Sequence, residues 1–256
     1  MMIDMQASLY QDVRNTTVTL YQTLELPMKP NDWGTSVCTG IPSPLFNGIV
    51  SVRDGDKAVL AVGEVDRMYK EQGVPYCWWF EKSYSTPQLE QAFVDQGLEL
   101  AGIFPGMGRG LDAPIPKPVH NVEEVGCLDE WAHVVASAFE FTEEAEEGFR
   151  QVLTNAVDAP YIHMAVKEEG KIVSTGSVLF NKGCAYISNI ATLEEFRNQG
   201  YAQSVITQLL RKAQACQMER SALISSPMAA SVYKRMGFHT FMGFLIYLPR
   251  FTRSSS

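Results

Sequence analysis

The chain has 256 residues, 46% of them hydrophobic, and a formal net charge of −8. That suffices for a substantial core in one large domain or two small ones, and the absence of any Lys/Arg-rich run argues against nucleic acid as a partner. No apolar run approaches the roughly 20 residues that span a bilayer, and Met1-Met2-Ile3-Asp4-Met5-Gln6 lacks a basic region followed by an apolar core, so no membrane partner and a cytoplasmic location are expected. Cys38, Cys77, Cys127, Cys184 and Cys216 are odd in number, widely spaced and without a Cys-x-x-Cys pair, which suits reduced thiols. His120, His133, His163 and His239 show no ligand spacing, so no metal site is expected. Asn15-Thr16-Thr17 spells a glycosylation sequon, to which an unexported chain gives no use.

In the first half, Pro75 to Phe80 reads as a buried strand, Pro87 to Gln96 as an amphipathic helix and Leu98 to Phe104 as another strand. Prolines 105, 114, 116 and 118 and glycines 106, 108 and 110 then concentrate at Pro105 to Val119, where regular structure is not expected to run through. This segment marks a connection between two domains, 1–117 and 118–256. Residues 1–117 carry 9 basic and 14 acidic side chains and residues 118–256 carry 12 and 15, so neither half is basic. Gly106-Met107-Gly108-Arg109-Gly110 has the look of a dinucleotide fingerprint, but the third glycine comes one residue early and no helix can follow through the prolines.

Residues 123 to 149 hold nine acids and no Lys or Arg. Two readings stand: an acidic rim that attracts a cationic amine, or a helix capped by Thr142 whose first-turn Glu143 and Glu144 complement the dipole. His163 lies on an expected strand Tyr161 to Lys167, paired with Lys171 to Phe180 across Glu168-Glu169-Gly170, where it either points toward the acceptor or, as a lone His usually does, serves as a structural strand residue. Cys184 to Ala191 reads as a strand, and Ala202, Val205, Ile206, Leu209, Leu210 and Ala213 recur at helical spacing, so a helix starts near Gln199 or Gly200. The turn between them, Arg197-Asn198-Gln199-Gly200-Tyr201-Ala202, has the form Arg-x-x-Gly-x-Ala. A helix start leaves backbone N–H groups without partners at the positive end of the macrodipole, where a pyrophosphate can settle, and Gly200 admits it closely. A strand Ser221 to Ser225, a short helix Ala229 to Arg235 ending in Tyr-x-x-x-Gly-Phe (Tyr233 to Phe238) and a last strand Thr240 to Tyr247 follow. Their order repeats that of the first half, with Asp95-Gln96-Gly97-Leu98 matching Arg235-Met236-Gly237-Phe238; the first half lacks both the Arg-x-x-Gly turn and a tyrosine matching Tyr233.

From about Asp129 to Leu248 these motifs resemble the acyl-CoA-binding core of the GNAT family of N-acetyltransferases, whose signature is Arg/Gln-x-x-Gly-x-Gly/Ala. The rest resembles tandem members of that family, with a degenerate N-terminal half. The resemblance implies an α/β (α+β) GNAT fold, a mixed, mostly antiparallel sheet flanked by helices, in two GNAT-like domains. It implies acetyl-CoA as acyl donor and a small-molecule or protein amine as acceptor, with direct transfer in a ternary complex. By the same resemblance Ile190, Ala191 and Thr192 hold the pantetheine and polarise the carbonyl. Arg197 belongs to the signature, Asn198, Gln199, Gly200, Tyr201, Ala202 and Gln203 cradle the pyrophosphate, and Tyr233 protonates the departing thiolate. Ser226 stands where relatives often carry a cofactor-contacting asparagine. A serine replaces the glutamate that some relatives have at the strand beginning Arg220-Ser221. The base is therefore open between Glu140, Glu143, Glu144 and a water held by Ser188 and Asn189. The rival from another class is a non-catalytic acyl-CoA-binding module.

Overall fold

Residues 2–156 and 160–250 are described by the computed structural model, without the side chains of 2–4. In chain order they form α1 (Met2–Thr23), β1 (Met28–Pro30), β2 (Gly34–Cys38), β3 (Asn47–Val52), α2 (Gly55–Gln72), β4 (Cys77–Glu81), α3 (Pro87–Asp95) and β5 (Leu98–Gly110). Then come β6 (Glu123–Glu124), α4 (Asp129–Ala138), α5 (Glu143–Asn155), β7 (Tyr161–Glu168), β8 (Lys171–Asn181), β9 (Cys184–Thr192), α6 (Tyr201–Ala215), β10 (Arg220–Ile224), α7 (Ala230–Arg235) and β11 (His239–Pro249). No helix among the described residues is long and apolar enough to cross a membrane.

The chain divides into two compact units that interleave in sequence: Met1–Glu25 with Gly106–Phe241, and Leu26–Pro105 with the residues from Met242 on. The divisions fall inside β5 and inside β11, whereas the sequence reading placed one division at 117/118. The expectation that regular structure stops at Pro105 is corrected, because β5 continues to Gly110. Gly106 to Gly110 pair antiparallel with Ile224 to Arg220 of β10. Those long-range ladder bonds hold an extended strand that glycine content alone would leave irregular. Residues 111–120 then run along α6, fixed by Gln214 Nε2 donating to the carbonyls of Leu111 and Ala113, both at 2.8 Å, and by Arg211 Nη1 donating to that of Ile115 at 3.2 Å.

In the larger unit the sheet runs from the end of β5 through β10, β9, β8 and β7 to β6; β9 and β10 are parallel and the other neighbours antiparallel. The apolar stripe of α6, with Val205, Leu209 and Leu210 fully buried, packs on this sheet. Gly176 of β8 makes that approach possible, since a Cβ there would lie 2.5 Å from Ile190 Cδ1 and 2.6 Å from Val205 Cγ1. On α4, Trp131 is completely buried, donates from Nε1 to the Met164 carbonyl at 3.1 Å and meets His163 edge-on at 4.7 Å. α1 buries Leu9 and Val13, and beside them Asp12 pairs with Arg220 and accepts from the Tyr186 hydroxyl at 2.9 Å. That pair is almost buried, so removal of either partner alone would strand a charge. Asn15-Thr16-Thr17 falls on α1, where Thr16 and Thr17 are buried.

The smaller unit orders its sheet β1, β2, β3, β4, β11, with β3 and β4 parallel and Trp78 to Glu81 antiparallel to Tyr247 to Phe244. α2 and α3 cover an aromatic core in which Phe93 lies 5.0 Å from Trp78 and 4.3 Å from Tyr247.

Candidate active site

β9 and β10 start as parallel neighbours but stay paired only over Cys184, Ala185 and Tyr186 against Arg220, Ser221 and Ala222. Beyond that point β9 follows β8, while Leu223 and Ile224 follow Met107 and Gly106 of β5. The strands part into a wedge, with the backbone of Ile187 to Thr192 along one side. α6 follows β9 and α7 follows β10 in the chain, so the unpaired ends of both strands lead to helix starts.

The separation has a cause in β9 itself. Thr175 faces Ala191 and Ser177 faces Ser188, so Gly176 alone stands opposite Asn189 and Ile190. This is a bulge, and Asn189 takes the left-handed backbone, φ +53°, that a two-against-one pairing calls for and asparagine tolerates. Ile190 and Thr192 are half-buried and Ala191 is buried, with its carbonyl accepting from Ser174 Oγ at 2.9 Å.

After β9, a 3₁₀ turn over Glu194–Phe196 leads through Arg197, whose Nε donates to the Thr192 carbonyl at 3.3 Å. Asn198 and Gly200 are left-handed, φ +63° and +85°. Left-handed residues at a helix entry make successive N–H groups converge on one side. Gly200 is the N-cap of α6, no side chain caps it, and Ser204 N–H closes the first helical bond to the Gly200 carbonyl at 3.0 Å. The N–H groups of Tyr201, Ala202 and Gln203 thus precede the helical ladder at the positive end of the dipole. Glycine is required here by φ, because the nearest atom to an added Cβ is His120 Nε2 at 3.6 Å.

Tyr201 offers only its backbone to this turn. Its side chain is buried between His120 at 4.2 Å and Phe196 at 6.1 Å, and a hydrogen bond to Glu168 raises its phenol above the usual range. Arg197, Asn198, Gln199 and Gln203 are exposed and Ala202 is half-buried. His120, which the sequence reading did not single out, bonds through Nε2 to the Gln199 carbonyl at 2.9 Å.

On the other side of the wedge, Ser226 Oγ accepts from the Ala229 N–H at 3.3 Å just before α7. Tyr233 on α7 is 5% exposed and meets Phe238 edge-on at 5.7 Å. Burial pushes its phenol well up, so it stays protonated throughout the physiological range. Gly237, at φ +84°, ends the helix and fixes this ring against Phe238.

Most of the acidic stretch is engaged elsewhere. Arg150 gathers Glu146 at 2.6 Å, Glu147 at 3.3 Å and Asp129 at 3.8 Å, Glu124 meets Lys212 at 3.0 Å, and Glu123 meets Lys167 at 2.5 Å. Glu130 accepts from the Ile172 N–H at 2.8 Å, and Thr142 caps α5, with Glu143 and Glu144 in its first turn.

Ser188 and Asn189 instead join a polar cluster on the α4 side of the sheet. The Tyr161 hydroxyl bonds Ser188 Oγ, Asn189 Nδ2 donates to the Tyr161 oxygen at 3.1 Å and to Ser177 Oγ at 3.4 Å, and Ser177 Oγ meets His163 Nδ1 at 2.9 Å. Burial drops the His163 imidazole to about 4, so it is neutral at pH 7. Tyr161 and Ser177 went unnoticed in the sequence. The available signal was the alternation that puts Tyr161 and His163 on one face of β7, and a serine inside the apolar run of β8.

The acetyltransferase (GNAT) family matches residues 128–238. Among solved structures, a GCN5-related N-acetyltransferase from Kribbella flavida is 15% identical, with a TM-score of 0.66 over 95% of this chain and 97% of that one. A functionally unknown conserved protein from Staphylococcus epidermidis ATCC 12228 is 13% identical, with a TM-score of 0.66 over 88% and 94% of the two chains. A GCN5-related N-acetyltransferase from Sphaerobacter thermophilus is 14% identical, with a TM-score of 0.60 over 87% and 82%. These likenesses show the fold. No curated protein matches the chain.

Proposed function

We propose, from the match of residues 128–238 to the acetyltransferase (GNAT) family, that the chain is an acetyl-CoA-dependent N-acetyltransferase acting on a primary amine by direct transfer in a ternary complex. The observation that carries this reading is the wedge between β9 and β10, which opens onto an uncapped helix start. Family and fold suggest acyl-CoA-dependent acetyl transfer; the acceptor class, the direct route and the residue roles are our own assignment.

When bound, acetyl-CoA supplies an acetyl group activated as a thioester. The backbone N–H groups from Asn198 to Gln203 suit its pyrophosphate, since no side chain occupies the α6 start. Arg197 adds a fixed positive charge beside the same turn. Ile190, Ala191 and Thr192 line the wedge with backbone polar groups that suit an extended amide-bearing arm, and a donor among them would polarise the thioester carbonyl. Ser226 borders the other side. Tyr233, held protonated, serves as the proton donor to the leaving sulfur. The acceptor is a small-molecule or protein amine; nucleic acid and membrane have no part in this reading, and we place the protein in the cytoplasm.

Tyr233→Phe tests the assignment. Thiol release from acetyl-CoA in the presence of primary amines should fall by about 10²-fold, while the acetyl-CoA dissociation constant stays within about threefold. Unchanged turnover would remove Tyr233 from this role.

A further inference from the structure

The family match begins at residue 128, yet a side chain that precedes it reaches the start of α6. Resting on the acetyl-CoA reading, we infer that His120 is the positioning residue of the diphosphate cradle: its Nε2–H holds the Gln199 carbonyl and thereby turns the Gly200 N–H toward the ligand.

The turn needs such a hold because of its own sequence. Gly200, at φ +85° and ψ 3°, has the third-residue conformation of a type II turn. Glycine is as much at ease with the negative φ of a type I turn, and the two differ by turning over the peptide between residues 199 and 200. One orientation gives a phosphate the Gly200 N–H; the other gives it the Gln199 carbonyl oxygen, which repels an anion. A trans peptide is planar with its N–H and C=O pointing in opposite directions, so whatever fixes one fixes both. His120 Nε2 lies 2.9 Å from the Gln199 oxygen, and since a carbonyl only accepts, that nitrogen carries a proton. The Gly200 N–H therefore points away from His120, and among the described residues it has no hydrogen-bond partner. An unpartnered N–H between two left-handed residues and a helix start belongs to an anion-binding concavity.

The imidazole is itself held by the helix it serves. Its ring lies 4.2 Å from that of Tyr201, the first residue of α6, and the His120 N–H donates to Ser204 Oγ at 3.1 Å. Ser204 is buried, and its own N–H closes the first helical bond to the Gly200 carbonyl. Upstream, the bonds from Gln214 and Arg211 to residues 111–115 fix the same segment along α6. The first turn of α6 thus anchors the side chain that sets the peptide just before it. The inward Tyr201 ring gains a purpose from this, as the platform under His120.

The tautomer is testable without ligand. Nitrogen-15 spectra of the full-length protein, with His120→Gln for assignment, should show His120 protonated on Nε2; a neutral ring with its proton on Nδ1 would overturn the inference. By calorimetry His120→Ala should weaken acetyl-CoA binding on the order of tenfold, and His120→Gln, whose amide nitrogen reaches the same place, should restore affinity to within about threefold of wild type. In thiol-release assays with a panel of primary amines, the loss in His120→Ala should fall on KM for acetyl-CoA and leave kcat unchanged. With S-acetylpantetheine, a donor that has no diphosphate, the variant should match wild type, which a merely structural histidine would not produce. Wild-type affinity in His120→Ala, a Gln variant as weak as the Ala variant, or equal losses with both donors would refute the role of His120 while the functional reading stood. Failure of wild type to bind acetyl-CoA would refute the functional reading and the role of His120 with it.

Discussion

The helix starts of α2 and α6 are built on one plan and differ in one respect. Each follows a strand, β3 or β9, whose parallel pairing to the next strand is short: Gly48 and Ile49 with Cys77 and Trp78 in one unit, Cys184 to Tyr186 with Arg220 to Ala222 in the other. Each strand meets its antiparallel neighbour through a register shift, between Thr35 and Ser36 or between Thr175 and Ser177. The start of α2, however, is closed. Asp54 caps it by accepting from the Lys57 N–H at 3.1 Å, and a Cβ on Gly55 would lie 2.2 Å from the Tyr84 carbonyl oxygen. α6 has an uncapped left-handed Gly200 in that place. A carboxylate already sits where a ligand's phosphate would have to go, so an anion site at a helix start depends on the missing cap as much as on the dipole.

The chemistry differs in the same direction. Phe93 stands four residues before left-handed Gly97, as Tyr233 stands before Gly237, and Phe93 has no hydroxyl. The cross-strand row next to the register shift reads Lys29, Ser36 and Ile49 in the smaller unit, against His163, Ser177 and Ser188 in the larger. The smaller unit thus shares the frame while its helix start is closed by Asp54 and the position of Tyr233 is held by Phe93.

Three changes bear on this contrast. The largest effect should come from closing α6 as α2 is closed. Gly200→Glu forces a side chain into left-handed backbone and sets a carboxylate at the helix start, which should weaken acetyl-CoA binding on the order of 10²-fold by calorimetry. An effect of similar size concerns His163, whose cross-strand row has no counterpart in the smaller unit. The folded state lowers the His163 pKa to about 4 from 6.5, so it binds fewer protons than the unfolded chain between those values. Its contribution is complete above the unfolded pKa and is lost as pH falls through that window. Relative to His163→Gln, wild type should therefore lose up to about 3 kcal/mol of unfolding free energy between about pH 7 and about pH 4, measured by urea titration. The smallest effect should come from uncapping α2. Asp54→Ala should cost about 1 kcal/mol of stability by thermal unfolding. It should create no second acetyl-CoA site, because the Tyr84 carbonyl still crowds Gly55.

Local pattern made the Arg197 to Ala202 turn, β9, α6 and the α7 ending legible in the sequence, since each rests on spacing within a few residues. Thr142 as a cap was legible for the same reason. What the sequence did not reveal depends on pairing between distant segments. β5 runs through Pro105 because β10 supplies its ladder, and α1 has its place because Asp12 finds Arg220 and Tyr186. The Tyr161 to His163 cluster exists only through the register of three strands, which no single segment encodes. Tyr201 marks the limit within a motif: spacing located its backbone, while the inward turn of its side chain follows from His120, far away in sequence.

Calorimetric titration of acetyl-CoA into the full chain tests the central claim most directly. One site per chain, with Asp54→Ala unchanged in stoichiometry, is the result expected from a single open helix start; no binding, or two sites per chain, would contradict it.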